Sequence, residues 1–220
     1  MTDGARHGAA IQQINFCAWF RIPYLSPFFF SGDMIQYRMI YSVKVGSCAV
    51  DNIVLIGMPG SGKSTVGVLL AKALGYSFLD VDLVIQRQEG ALLQEILDTR
   101  GVNAFLDAEE KAVCSVQCRE HVIAPGGSAV CREKAALHLK SLGPVVYLKV
   151  PLDELTQRIQ NLSTRGIAMQ PGQTLADVMA YRAPLYDKYA DMVIDCGSGQ
   201  TLAQTAQQVL DRLRDLERRP

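Results

Sequence analysis

The stretch Ile53-Val54-Leu55-Ile56-Gly57-Met58-Pro59-Gly60-Ser61-Gly62-Lys63-Ser64 decides the fold. Its first part is an unbroken run of β-branched and aliphatic residues, which reads as a buried strand. Its second part, GMPGSGKS at 57–64, has Gly57, Gly62, Lys63 and Ser64 at the spacing of a P-loop. Glycines there let backbone amides turn inward without a Cβ in the way, so the loop forms a nest of donors for phosphate oxygens. A helix beginning near Lys63 adds its positive end to the same point. Gly57, Gly60, Ser61, Gly62, Lys63, Ser64 and Thr65 are therefore the candidate residues for ATP. Lys63 supplies a charge to the terminal phosphates, and the Ser64 hydroxyl one position for Mg2+.

Outward from this point, short apolar runs alternate with longer amphipathic ones, the pattern of a parallel sheet with helices packed on it. Strands are predicted at Ile53–Ile56, Phe78–Val81, Val122–Ala124, Val145–Val150 and Met192–Ile194. Helices are predicted at Lys63–Leu74, Leu83–Gln88, Leu92–Asp98, Ala104–Cys118, Arg132–Leu139, Leu152–Asn161, Leu175–Lys188 and Leu202–Leu216. The fold class that follows is α/β, a three-layer α/β/α P-loop fold with a five-stranded parallel sheet. In the last helix Leu202, Ala206, Val209, Leu213 and Leu216 form one apolar face, which reads as a helix docked on the body of the domain rather than a coiled coil. Glycine at 166 and 172 and proline at 171 mark Ser163–Thr174 as a mobile loop, the candidate lid.

The second strand runs into Asp80-Val81-Asp82. Alternation along a strand would put both carboxylates on one face, at the strand end where such sheets open toward the ligand crevice. One carboxylate then serves magnesium and the other the acceptor hydroxyl. The plainer alternative is a solvated turn or a cap on the following helix.

With 220 residues, and Lys plus Arg equal to Asp plus Glu at 22 each, the chain has no net field to attract nucleic acid or a lipid surface. The acceptor is expected to be a small molecule and the protein a cytoplasmic monomer. The cysteines at 17, 48, 114, 118, 131 and 196 include no C-x-x-C pair and read as reduced, packed thiols. Cys114 and Cys118, four apart, would share a helix face. Residues 1–50 lack the period of the rest, and Arg21, Pro23 and Pro27 interrupt their apolar run, so neither a membrane span nor a secretory leader is read there. They are expected to be a disordered extension or to precede a native start at Met34 or Met39, with the kinase domain at 51–220.

Over about residues 52–215 the chain resembles the shikimate kinases, on GMPGSGKSTVG at 57–67, FLDVD at 78–82, PGGSAV at 125–130 and RAPLY at 182–186 followed by Ala190-Asp191. The resemblance implies ATP-dependent phosphorylation of shikimate to shikimate 3-phosphate in aromatic amino-acid biosynthesis. It makes Asp80 the magnesium-side carboxylate and Asp82 the group that binds and polarises the acceptor hydroxyl, as a general base. It gives Gly126 and Gly127 the substrate through their amides, Arg182 the substrate carboxylate, and Arg158 the adenine. Arg165 becomes the guanidinium of a closing lid, so that Lys63, Asp82 and Arg165 are the catalytic set.

The stretch GVNAFLDAE at 101–109 departs from the family pattern: Leu106 stands where an arginine helps hold the substrate carboxylate. Ser128 replaces a third glycine, and the lid reads Arg165-Gly166 rather than arginine-proline. Glu109 keeps its place without that arginine beside it. The nucleotide half is thus intact and the acceptor half altered. This keeps a second reading open, a kinase for another hydroxylated metabolite such as a hydroxy amino acid, its ammonium at Glu109 and its carboxylate at Arg182. A third is a nucleotide-binding module without catalysis.

Overall fold

A computed structural model describes residues 50–159, 166–170, 172–197 and 199–217. The expectations for residues 1–49 and for Arg165 lie outside the described residues. In chain order the elements are β1 (Asn52–Ile56), α1 (Lys63–Leu74), β2 (Ser77–Asp80), α2 (Val81–Glu89), α3 (Leu93–Ser115), β3 (His121–Ala124), a 3-10 turn (Ala129–Cys131), α4 (Glu133–Leu142), β4 (Val145–Lys149), α5 (Leu152–Arg158), α6 (Leu175–Tyr189), β5 (Met192–Asp195) and α7 (Leu202–Glu217).

The strands form one sheet in the order β2-β3-β1-β4-β5, every pairing parallel. Helices α1 and α7 pack together, as do α3, α4 and α6, which gives the layered α/β/α architecture. All of β1 is buried, as are Val145 to Leu148 of β4, because a parallel sheet is covered on both faces. Since β1 lies between β3 and β4, its carboxyl end is the point where the strand order reverses, and ligands of such sheets bind in the crevice there. The P-loop leaves the sheet at that point.

Several predicted boundaries move, each for a local reason. Helix α2 starts at Val81 rather than Leu83, because Asp80 caps it: the Asp80 carboxylate accepts from the Asp82 amide at 3.0 Å. The two carboxylates therefore do not share the face of a strand. Asp80 ends β2 and Asp82 lies in the first turn of α2. The segments expected as Leu92–Asp98 and Ala104–Cys118 join in α3, bent where Gly101 adopts φ 79°, ψ 174°. That helix stops at Ser115 because Val116 turns extended, so Cys118 is off the helix and Cys114 and Cys118 share no helix face. The Cys118 thiol instead lies 3.7 Å from the Asn52 side-chain oxygen. Helix α7 docks on α1 and β5 through Ala206, Val209 and Leu213, while Leu202 and Leu216 at its ends stay exposed. Among the described residues no helix is long and apolar enough to cross a membrane.

Candidate active site

The P-loop is shaped before any ligand arrives. Gly60 and Gly62 hold φ of 80° and 91°, which side-chain-bearing residues rarely adopt, and a Cβ on Gly62 would stand 2.7 Å from Leu202. The Gly62 carbonyl accepts from the Val66 amide and starts α1, leaving the first amides of the helix directed at the loop. Lys63, almost fully buried, donates to the carbonyls of Gly57 at 3.0 Å and Met58 at 3.1 Å. Burial lowers its pKa to about 8, with Asp82 and Asp80 opposing the shift. At neutral pH it is thus mostly charged, and its carbonyl partners hold it over the cradle.

Ser64 donates to Asp80 Oδ2 at 3.2 Å, while Asp80 Oδ1 takes the Asp82 amide. Two hard oxygen donors this close suit Mg2+, so Ser64 and Asp80 are the residues that would hold it. Among the described residues no cluster of three or more His, Cys, Asp or Glu presents an all-protein metal site, and magnesium needs none when phosphate and water complete its shell.

A cleft of about 450 Å3 opens over this cradle. Its wall brings together Gly60, Gly62, Lys63, Ser64 and Thr65 of the loop with Asp80, Asp82, Gly126, Gly127, Arg158 and Arg182. Gly57 and Ser61 are not on this wall. Gly57 serves it by holding Lys63, and the buried Ser61 hydroxyl has no partner among the described residues. Arg158, at the end of α5, pairs with Glu154 at 2.7 Å and lies partly exposed at the rim.

On the acceptor side, burial raises the pKa of Asp82 to about 6, with Asp80 adding and Lys63 opposing. Above that value Asp82 is a carboxylate ready to accept a proton. Glu109 of α3 is 1% exposed, and neither carboxylate oxygen has a hydrogen-bond partner among the described residues. Its pKa rises to about 7, mainly through burial, with the Ser128 hydroxyl as the largest opposing influence. Arg182, in the middle of α6, is also buried; Nη2 donates to the Ala168 carbonyl at 2.5 Å, and Nε and Nη1 find no acceptor among the described residues. A Cβ on Gly126 would collide with Glu109 and stand 3.0 Å from Asp82 Oδ1, so only glycine brings the chain this close to both acids.

Roles that the sequence did not reveal come from residues acting on the backbone. Tyr186 of RAPLY donates its hydroxyl to the Gly127 carbonyl at 2.5 Å, setting the glycine turn against α6. Gln94 accepts from the Gly166 amide at 3.1 Å and so anchors the start of the described part of the loop expected as a lid. The motif RAPLY was the available signal for the first; the second is a contact over 72 residues and leaves none.

The sequence model of the shikimate kinase family matches residues 59–214. The chain belongs to the shikimate kinase family. The match supports an ATP-dependent small-molecule kinase. The shikimate kinase of Pseudomonas aeruginosa (strain LESB58) is 36% identical over 168 residues, covering 75% of this chain and 97% of that protein. Threonine synthase-like 1 of Homo sapiens is 33% identical over 165 residues, 74% of this chain. The chain spans only 22% of the length of that relative. Among solved structures, a shikimate kinase from Acinetobacter baumannii in complex with shikimate aligns with a TM-score of 0.70 at 32% identity, covering 78% of this chain and 97% of that one.

Proposed function

We propose that this family member transfers the γ-phosphoryl group of ATP to a ring hydroxyl of shikimate, giving shikimate 3-phosphate and ADP. One observation carries the reading: the buried Arg182, with Nε and Nη1 unpaired, stands on the wall of the cleft that also holds Lys63 and Asp82. A buried cation with two of its three nitrogens left without acceptors calls for an anion, and a carboxylate matches its fork. The bound acceptor is thus a hydroxy acid, held by the acid end at Arg182 with a hydroxyl at Asp82.

In this mechanism the P-loop amides and Lys63 hold the phosphates and fix the γ-phosphoryl in line with the hydroxyl. Asp82 takes the hydroxyl proton as the new O–P bond forms and the bond to the bridging oxygen of ATP breaks. Ser64 and Asp80 would hold magnesium, which would neutralise phosphate charge when bound. Gly126 and Gly127 offer amides to the acceptor. Arg158 faces the adenine, and Arg165, on the loop that would close as a lid, adds charge at the transferring group. Residues 51–220 form the kinase domain and 1–50 an extension, and the protein acts as a cytoplasmic monomer.

The orphaned carboxylate of Glu109 favours one further reading, an acceptor that also carries an ammonium, such as a hydroxy amino acid. Coupled ADP release with magnesium-ATP separates the two. Shikimate-dependent turnover above a no-acceptor control, with KM between about 1 μM and 1 mM, supports the first. Turnover with L-homoserine or L-serine and none with shikimate replaces it by the second, and the absence of both removes the hydroxy-acid reading.

A further inference from the structure

Beside Arg182 lies a second cavity, of about 300 Å3, that plays no part in the steps above. Arg182 and Ala168 stand on the walls of both this space and the main cleft, so the two adjoin at one guanidinium. Leu106 and Val178 make part of its wall apolar, and Cys131 and Arg132 stand on another part. The leucine contributes volume there and no hydrogen-bond donor.

Arg132 sits at the turn that leads into α4. One of its amino groups reaches outward to Asp107 at 2.5 Å, an aspartate that is largely exposed. Its Nε, by contrast, is buried and has no acceptor among the described residues. Arg182 shows the same imbalance, with Nε and Nη1 buried and unpartnered. Both guanidiniums also act on the Cys131 thiol, which stands on the same wall next to Arg132 in the chain, each lowering a pKa that burial raises.

Unsatisfied buried donors cost stability, and two cations on one small cavity repel. A planar anion in this cavity screens that repulsion and brings acceptors to both arginines that line it. Asp107 does not do so, since it holds Arg132 from the outer side, and no acidic residue stands on the wall of this cavity.

We propose that Arg132 determines acceptor specificity: with Arg182 it grips the carboxylate of a hydroxy acid at the junction of the two cavities, in the space that Leu106 leaves. This rests on the hydroxy-acid reading given above and deepens it by naming a second cationic contact.

The test compares wild type, Arg132→Met, Arg132→Lys and Asp107→Asn in steady-state kinetics with shikimate and magnesium-ATP, beside a thermal melt of each. In Arg132→Met the shikimate KM rises about 10- to 100-fold, as for loss of a charge-assisted contact, while kcat and the ATP KM hold within about a factor of two. Arg132→Lys recovers part of the loss. Asp107→Asn leaves the shikimate KM unchanged, whereas a role confined to the surface ion pair would make it match Arg132→Met. An unchanged shikimate KM in Arg132→Met, or a loss equal in Asp107→Asn, overturns the proposal. If wild type turns over no shikimate, the shikimate reading fails separately, and the same proteins are assayed with quinate, D-glycerate and L-homoserine. An acid whose KM rises only in the Arg132 variants sustains the clamp; if none does, the clamp is discarded.

Discussion

The two halves of the cleft differ in how their buried polar groups are satisfied. In the nucleotide half Lys63 rests on the carbonyls of its own loop and Ser64 on Asp80, so the apparatus is complete in itself. In the acceptor half neither Glu109 oxygen has an acceptable hydrogen-bond geometry to any described residue, with the Ser128 hydroxyl and the Arg182 charge only nearby, and Arg182 is only partly satisfied. A self-satisfied site is preorganised and pays little on binding. An unsatisfied one stores desolvation cost that only the right ligand relieves, and that is where selectivity between acceptors originates.

Substitutions can break or sharpen this contrast. The largest effect is expected for Asp82→Asn, which keeps the shape and removes the base: kcat should fall about 10²- to 10⁴-fold. In wild type kcat/KM should drop as pH falls through about 6, where Asp82 takes up a proton, and that limb should be missing in the variant. A variant that retains both full rate and the limb would leave Asp82 a positioning group only. Lys63→Met should lower kcat about 10²- to 10³-fold whatever the acceptor; wild-type rates with that variant would undo the reading of the P-loop. In wild type an alkaline limb near 8, where Lys63 loses its proton, should accompany it.

On the acceptor side Arg182→Met should raise the acceptor KM about 10- to 100-fold and leave the ATP KM alone, a split that a merely structural arginine would not give. Glu109→Gln tests the stored cost directly. Its folded pKa of about 7 lies above the ordinary 4.5, so its contribution to stability is full below about 4.5 and is lost as pH rises through about 7. The variant should therefore be more stable than wild type at pH 8, by at most about 3 kcal/mol, and the gain should vanish toward pH 4.5. Equal melting temperatures at pH 8 would mean that Glu109 is not an unpaired buried acid. The smallest effect, about two- to fivefold in ATP KM, is expected for Arg158→Ala, at the partly exposed rim residue proposed to stack on adenine.

What the sequence made legible follows the same division. The P-loop, the sheet and the extent of α1 came from local signals: glycine spacing, aliphatic runs and the Lys63–Leu74 period. Glu109, Arg182 and Gly126 were found through motifs, but nothing local told that the first two lack partners, since that depends on α3, α6 and the glycine turn meeting. Helix α3 was divided at Gly101, where the chain bends and continues. The carboxylate pair was given the geometry of a strand because alternation assumes that the strand goes on. The cap made by Asp80 ends it one residue too soon.

That cap has a consequence for how this position is free to vary over generations. One oxygen of Asp80 starts a helix and the other holds the P-loop serine. Asparagine preserves one acceptor oxygen and gives up the charge, while glutamate places its oxygens a methylene away from both partners. Drift at residue 80 is therefore screened twice, by folding and by chemistry, and fewer substitutions survive both filters than either alone would pass.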